Sequence, residues 1–307
     1  MFTLPMPPAG AQRALLTLGV CLASAAPLAA QTRASIDTTF RFNAEGRVAL
    51  HLLSGEARIS TWDRNEIRIV ASTERGTLVP EFSAQAVRLE VRSVDRQMGR
   101  TRYEVTVPAR ALVTTRGVSA SVTASGLRND VSIQTVSGSI DLSDTQGNAE
   151  LETVSGRIAL REHSGNATVS SVSGGIGIES LRGALDARTV SGRVRADRAV
   201  LSSLRYKAVS GDLDFSGSLE AGGRNEIDTH SGSVALRVPS SFAATVAMQS
   251  FSGELNSDFA VTLQPGSGTG RGRRMEVAIN GGGARLAITT FSGDIFLRKS
   301  DAARREN

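Results

Sequence analysis

The chain has 307 residues, 40% of them hydrophobic but only 4% aromatic, with a formal net charge of +5 and a single cysteine. So few aromatic rings exclude a base-stacking platform of the kind that holds single-stranded nucleic acid. If the one cysteine, Cys21, leaves with an N-terminal leader, the mature chain can hold neither a disulfide nor a thiolate metal site.

The leader is the first element. Arg13 precedes the apolar, charge-free run Ala14 to Ala26, which is followed by Pro27-Leu28-Ala29-Ala30 and then polar Gln31-Thr32-Arg33. A basic start, a short apolar core and a small-residue cleavage site are the order of a secretory signal peptide, residues 1–30, with the cut expected after Ala30. The apolar run is shorter than the ~20 residues that span a bilayer. The expected location is therefore the periplasm, the cell surface or the extracellular space, with no transmembrane segment in the mature chain.

Residues 31–118 read as an irregular β segment continuous with the repeats beyond residue 118. Gly55 to Asp63 leads into Ile67-Arg68-Ile69-Val70, and later come Val87 to Val91 and Tyr103 to Pro108, all with alternating apolar and polar residues. Long alternating strands near one end of a stack can cap it and limit edge-to-edge pairing.

Residues 119–300 carry the strongest signal, an internal repeat. The dipeptide Ser-Gly recurs at Gly138, Gly156, Gly174 and Gly192 with a strict spacing of 18, then at Gly211, Gly232 and Gly253 with spacings of 19, 21 and 21, and finally at Gly293 after 40. Two residues before the glycine stand Val136, Val154, Val172, Val190, Val209, His230, Phe251 and Phe291. Two after it stand Ile140, Ile158, Ile176, Val194, Leu213, Val234, Leu255 and Ile295. Period-2 alternation places these residues inward and Asp141, Arg195, Asp212 and Asp214 outward. A second glycine, at Gly147, Gly165 and Gly183, divides the first units in half. Each unit is expected to hold two strands of about five residues between two corners, with glycine supplying positive φ at the corners. The expected fold is all-β: a β-solenoid of about 18 residues per coil with no helix after the signal peptide. Equivalent Val and Ile residues would then stack in buried ladders. A meander of antiparallel hairpins is the rival arrangement.

The stretch Gln264 to Arg274 reads as a flexible Gly/Arg-rich loop. Arg271, Arg273 and Arg274 are candidates for weak contact with anionic surfaces. Residues 301–307 read as a frayed tail.

Four features carry a resemblance. They are the Gly-x-x-x-Ile-x-x-Trp-Asp block at Gly55 to Asp63, the Val-x-Val-Pro segment at Val105 to Pro108, the run of Val-Ser-Gly-x-Ile units, and the closing Gly-Gly-Gly-Ala-Arg-Leu-Ala-Ile-Thr-Thr-Phe-Ser-Gly-Asp-Ile at Gly281 to Ile295. In this order they resemble the bacterial "putative adhesin" family, domain of unknown function 4097 (DUF4097), related to the head domains of autotransporter-like adhesins. The resemblance implies a β-solenoid of the envelope or cell surface and no known catalysis.

No catalytic, cofactor-binding or metal-ligating residues are expected. The histidines are His51, His163 and His230. His230 falls in the apolar register of Val209 and Phe251, and His163 falls at an exposed corner. Neither a metal-ligand spacing nor a phosphate loop occurs. A polysaccharide-acting β-helix enzyme would use grouped carboxylates, for which Asp141, Asp212, Asp214 and Asp294 are candidates. It would also want aromatic platforms, and besides the phenylalanines there are only Trp62, Tyr103 and Tyr206. The reading is thus an exported, non-catalytic envelope or surface protein, an adhesin or binding scaffold whose partner is a protein or glycan of the envelope. The alternatives are a polysaccharide-acting enzyme and a self-stacking scaffold.

Overall fold

The computed structural model describes residues 35–92, 99–259 and 273–300. The signal-peptide reading, most of the Gly/Arg-rich loop and the tail lie outside the described residues. Among the described residues there are twenty strands and no helix. The first seven are β1 (Ser35–Arg41), β2 (Arg47–Trp62), β3 (Glu66–Thr73), β4 (Thr77–Phe82), β5 (Ala86–Arg92), β6 (Thr101–Pro108) and β7 (Leu112–Ser125). The regular coils are β8 (Val131–Thr135), β9 (Ile140–Thr153), β10 (Ile158–Ser171), β11 (Ile176–Thr189) and β12 (Val194–Ala208). The chain continues through β13 (Leu213–Leu219), β14 (Arg224–Thr229), β15 (Val234–Pro239), β16 (Ala244–Ser250), β17 (Leu255–Ser257), β18 (Arg273–Ile279), β19 (Ala284–Thr290) and β20 (Ile295–Ser300).

The pairing settles the architecture. Ile158 of β10 lies beside Ile140 of β9 and Ile176 of β11, and the match runs on to Ser171 beside Thr153 and Thr189, all parallel. Parallel neighbours offset by one repeat are coils of a solenoid; a hairpin meander would pair antiparallel. In β9, β10 and β11 the coil is one 14-residue strand that bends at its second corner, where two separate short strands were expected. The bend is made by left-handed residues at Asp144, Glu162 and Ser180, together with Gly147, Gly165 and Gly183; the left-handed residues drop out of the pairing, which resumes in the same register at the next residue.

Chain order and stack order part at the C-terminal end. β19 inserts between β14 and β16, and β20 between β15 and β17. The 40-residue gap before the last Ser-Gly is thus only partly a loop. It includes β18, which pairs antiparallel with β16 along that end of the stack. Arg273 and Arg274, expected in the loop, open this strand, because their segment alternates in register with β16. At the other end β3 pairs antiparallel with β6 and β1 with β3, while β4 pairs antiparallel with β5.

The core is one continuous cluster running the length of the stack. Ile140, Ile158, Ile176, Val194, Leu213, Val234 and Ile295 are all buried, as expected. The column two residues before the glycine is a correction. Val136, Val154, Val172 and Val190 stack in line, yet each is 44–45% exposed. The alternation breaks at the corner: both residues between the buried hydroxyl residue and the glycine, such as Val136 and Ser137, lie on the outside of the bend. The inward place belongs to Thr135, Thr153, Ser171 and Thr189, and further along to Thr229, Ser250 and Thr290.

Those hydroxyls are satisfied. Each accepts the backbone N–H of the Ser-Gly glycine three residues on, at 2.8–3.2 Å. A buried hydroxyl without such a partner would cost ~1–3 kcal/mol. Where the column has Ala208, the Tyr206 hydroxyl takes over that region and donates to the Gly211 carbonyl at 2.8 Å.

The glycines of the Ser-Gly series from Gly138 to Gly293 are required for a reason other than the one expected. None of them has positive φ. A Cβ on Gly156 would overlap the Gly138 carbonyl oxygen, and one on Gly174 would overlap that of Gly156. The same contact recurs up the stack, so the constraint is close approach between coils.

The register makes a direct prediction. Ile158→Asp places a charge at a fully buried position and should cost at least ~4 kcal/mol. Arg157→Ala, one residue away and exposed, should change stability by no more than ~0.5 kcal/mol. Thermal unfolding of the two variants checks this, and equal midpoints would rule out the register.

Candidate interaction surface

The outward side chains of the two faces carry charges that pair within and between coils. On the face after the Ser-Gly corner, Arg161 lies 3.5 Å from Asp141 and reaches Glu179, while Arg198 pairs with Glu179 and Asp197. Arg195 and Arg237 both pair with Asp214, and Arg193 with Asp212 at 3.2 Å. On the other face Asp186 is shared by Arg188 and Arg205, Arg205 also reaches Glu226, and Lys207 reaches Asp228. Each exposed pair contributes no more than ~1 kcal/mol, and the pairs leave most of these charges neutralised by a neighbour.

The carboxylates considered for a hydrolytic pair are therefore engaged elsewhere. Asp141, Asp212 and Asp214 sit in arginine pairs, and Asp294 accepts the backbone N–H of Glu254 at 2.9 Å. Asp228 stands apart: burial, followed by its neighbour Glu226, pushes its carboxyl above the usual range, while Lys207 opposes the shift. Tyr103 and Tyr206 are fully buried, so neither is a surface platform. Trp62 donates its indole N–H to the Glu66 carbonyl at 2.7 Å and carries the Arg64 guanidinium over its ring. Arg271 lies outside the described residues, and Arg274 is exposed on β18.

His163 is a second correction. It is 2% exposed, although a corner position predicted exposure. Its ring occupies the inward column of Thr145 and Leu181, one residue after the left-handed Glu162 that turns the strand. Nδ1 lies 2.9 Å from the Thr145 hydroxyl, and Nε2 has no hydrogen-bond partner. Burial lowers its pKa below the usual 6.5.

The surface feature that stands out is the valine corner. Eight of the nine exposed large apolar side chains among the described residues belong to this one column. Backbone hydrogen bonds across the corner give its stack order: Val118, Val136, Val154, Val172, Val190, Val209, His230, Phe291 and Phe251. At ~4.8 Å per coil the stripe is ~40 Å long. His230, expected in this ladder, is there but exposed. It stacks on Phe291 at 4.9 Å, and Phe291 stacks on Phe251 at 4.9 Å. The stripe continues past Val118 to Leu53, because Ser54 of β2 lies beside Ser119 of β7. Leu53-Ser54-Gly55 and Val118-Ser119-Ala120 are thus further copies of the corner, missed in sequence because β3 to β6 separate them and alanine replaces the second glycine.

The model of the Toastrack DUF4097 family matches residues 48–298, nearly all of the described structure. The chain belongs to this Toastrack family. No curated protein matches it in sequence. Among solved structures it is similar to the crystal structure of a "putative cell adhesion protein" from Clostridium sporogenes. The two share 12% identity over 87% of this chain and 100% of that one, with a TM-score of 0.24, too low to compare their surfaces. The DUF4097 resemblance read from the sequence thus holds, together with its solenoid. The family name assigns no activity.

His163 generates a pH prediction. Its folded pKa lies below the unfolded value of 6.5, so the unfolded chain binds more protons as pH falls through that value, and stability drops. His163→Leu, which copies Leu181 one coil on, should remove this part of the acid sensitivity. Urea unfolding of both proteins at pH 7.5 and 5.0 checks it: the difference in midpoint between the two pH values should be smaller in the variant.

Proposed function

We propose that this Toastrack protein is an exported, non-catalytic binding or structural protein of the cell envelope that works through its valine corner. One observation carries the reading. A stripe of large apolar side chains runs along a single corner, outside the core and beside columns of paired charges. Soluble monomers rarely expose a contiguous apolar patch of more than ~300–600 Å², and larger ones mark interaction sites. Stacking does not explain the stripe, since the neighbouring buried hydroxyls and glycines already hold the coils together at this corner. The neutralised Asp212 and Asp214 argue against the polysaccharide-acting alternative. The antiparallel strands at the ends argue against end-to-end stacking of solenoids. An adhesin role is the narrower form of the same reading, with the partner on another cell.

The test is cell fractionation. The unaltered protein should be recovered with the envelope fraction. Val172→Asp changes an exposed residue, so it should keep the thermal midpoint within ~2 °C and move into the soluble fraction. A variant that stays with the envelope would refute the role of the stripe.

A further inference from the structure

The stripe has an internal asymmetry, and the charges beside it share it. In stack order from Val136 it is valine for five coils and then aromatic at His230, Phe291 and Phe251. The residues just past the glycine form the adjoining column. Backbone hydrogen bonds order them as Ser139, Arg157, Gly175, Arg193, Asp212, Ser233, Asp294 and Glu254. Its first half is basic and its second half acidic.

The eight coils from Val136 to Phe251 have their midpoint between Val190 and Val209, which leaves Val118 and Leu53 outside the contact. A twofold axis through that point, perpendicular to the stripe and lying in the contact plane, brings a second copy face to face and antiparallel. Three valines of the first half then meet larger rings of the second, Val136 facing Phe251, Val154 facing Phe291 and Val172 facing His230, while at the centre Val190 faces Val209. In the adjoining column the same rotation sets Arg157 opposite Asp294 and Arg193 opposite Asp212. Among the described residues Arg157 and Asp294 make no ion pair within the chain. Arg157 and Asp294 thus stand in the third coil either side of the centre; Asp294 accepts the Glu254 backbone N–H, but the counter-charge of each comes from the other copy. On the opposite flank Arg188 meets Lys207, but each already has a carboxylate of its own chain, Asp186 and Asp228.

The area agrees. From the fractional exposures the stripe offers on the order of 700 Å² of side-chain surface, close to the ~800 Å² per partner of a stable protein–protein interface. An isologous contact of this kind closes on itself and forms a dimer without forming a filament.

We infer that the partner of the stripe is a second copy of this chain, packed antiparallel about a twofold axis between Val190 and Val209. This rests on the reading of the stripe as a binding surface and names its occupant. The measurement is sedimentation equilibrium of the purified full protein across a concentration range. The unaltered protein should dimerise, and Val190→Asp should be monomeric with an unchanged thermal midpoint. Arg157→Asp and Asp294→Arg should each raise the dissociation constant about tenfold or more, and the two together should restore most of the loss. Restoration by the double exchange marks this register, since another packing would not bring those two positions together. A dimer that persists in Val190→Asp, or a double exchange no tighter than the single ones, would overturn the inference. So would a monomer at every concentration. If Val172→Asp still left the envelope fraction in that case, the stripe would bind a different molecule and only the second copy would be lost.

Discussion

The structure depends on how closely consecutive coils approach at the Ser-Gly corner. Each glycine there lies so near the carbonyl of the coil below that a Cβ would overlap it. Except at Gly211, the N–H of the same glycine is taken by a buried Thr or Ser hydroxyl of its own coil. Close approach brings the serine N–H within 2.9 Å of the preceding coil's carbonyl, as with Ser155 and Val136. One tight contact, repeated, sets the rise per coil. The inward Ile and Val ladders follow because residues at equal distance from the corner must meet.

The same corner separates folding from function. Its inner side carries the hydroxyls and belongs to the stack. Its outer side carries two residues that the bend turns away from the core, a serine and a large apolar residue. The serine hydroxyls lie near the carbonyls of the coil below, at 3.4 Å. The apolar residue is left with its neighbours in the column and water. Since stability in such a stack is a sum of nearest-neighbour contacts, substitutions on the outer side leave that sum nearly unchanged, whereas changes at Ile158 or Thr153 alter it.

Most of the fold was legible because the repeat is strict. Identical spacing fixed the coil length, and the residues after each glycine were placed inward as found. The errors arose at the bends, where period-2 alternation does not hold. Carrying the pattern through the first corner buried Val136 and its equivalents, and assuming exposure at the second corner misplaced His163. A signal for the first was present: a Thr or Ser stands three residues before the glycine in seven of the eight Ser-Gly units, a regularity that a solvated position would not need. The insertion of β19 between β14 and β16 has no such signal, since its residues would fit any coil of the stack. The surface itself became visible only once the valines were turned outward.

Glycine substitution at the corner tests the central contact most directly. Gly156→Ala adds a methyl group where the Gly138 carbonyl lies, whereas Gly175→Ala, one coil on at the same bend, adds one with no neighbour closer than 3.8 Å. If close approach sets the stack, thermal unfolding of Gly156→Ala should fall by on the order of 10 °C and that of Gly175→Ala should not fall. Equal midpoints for the two variants would contradict the account.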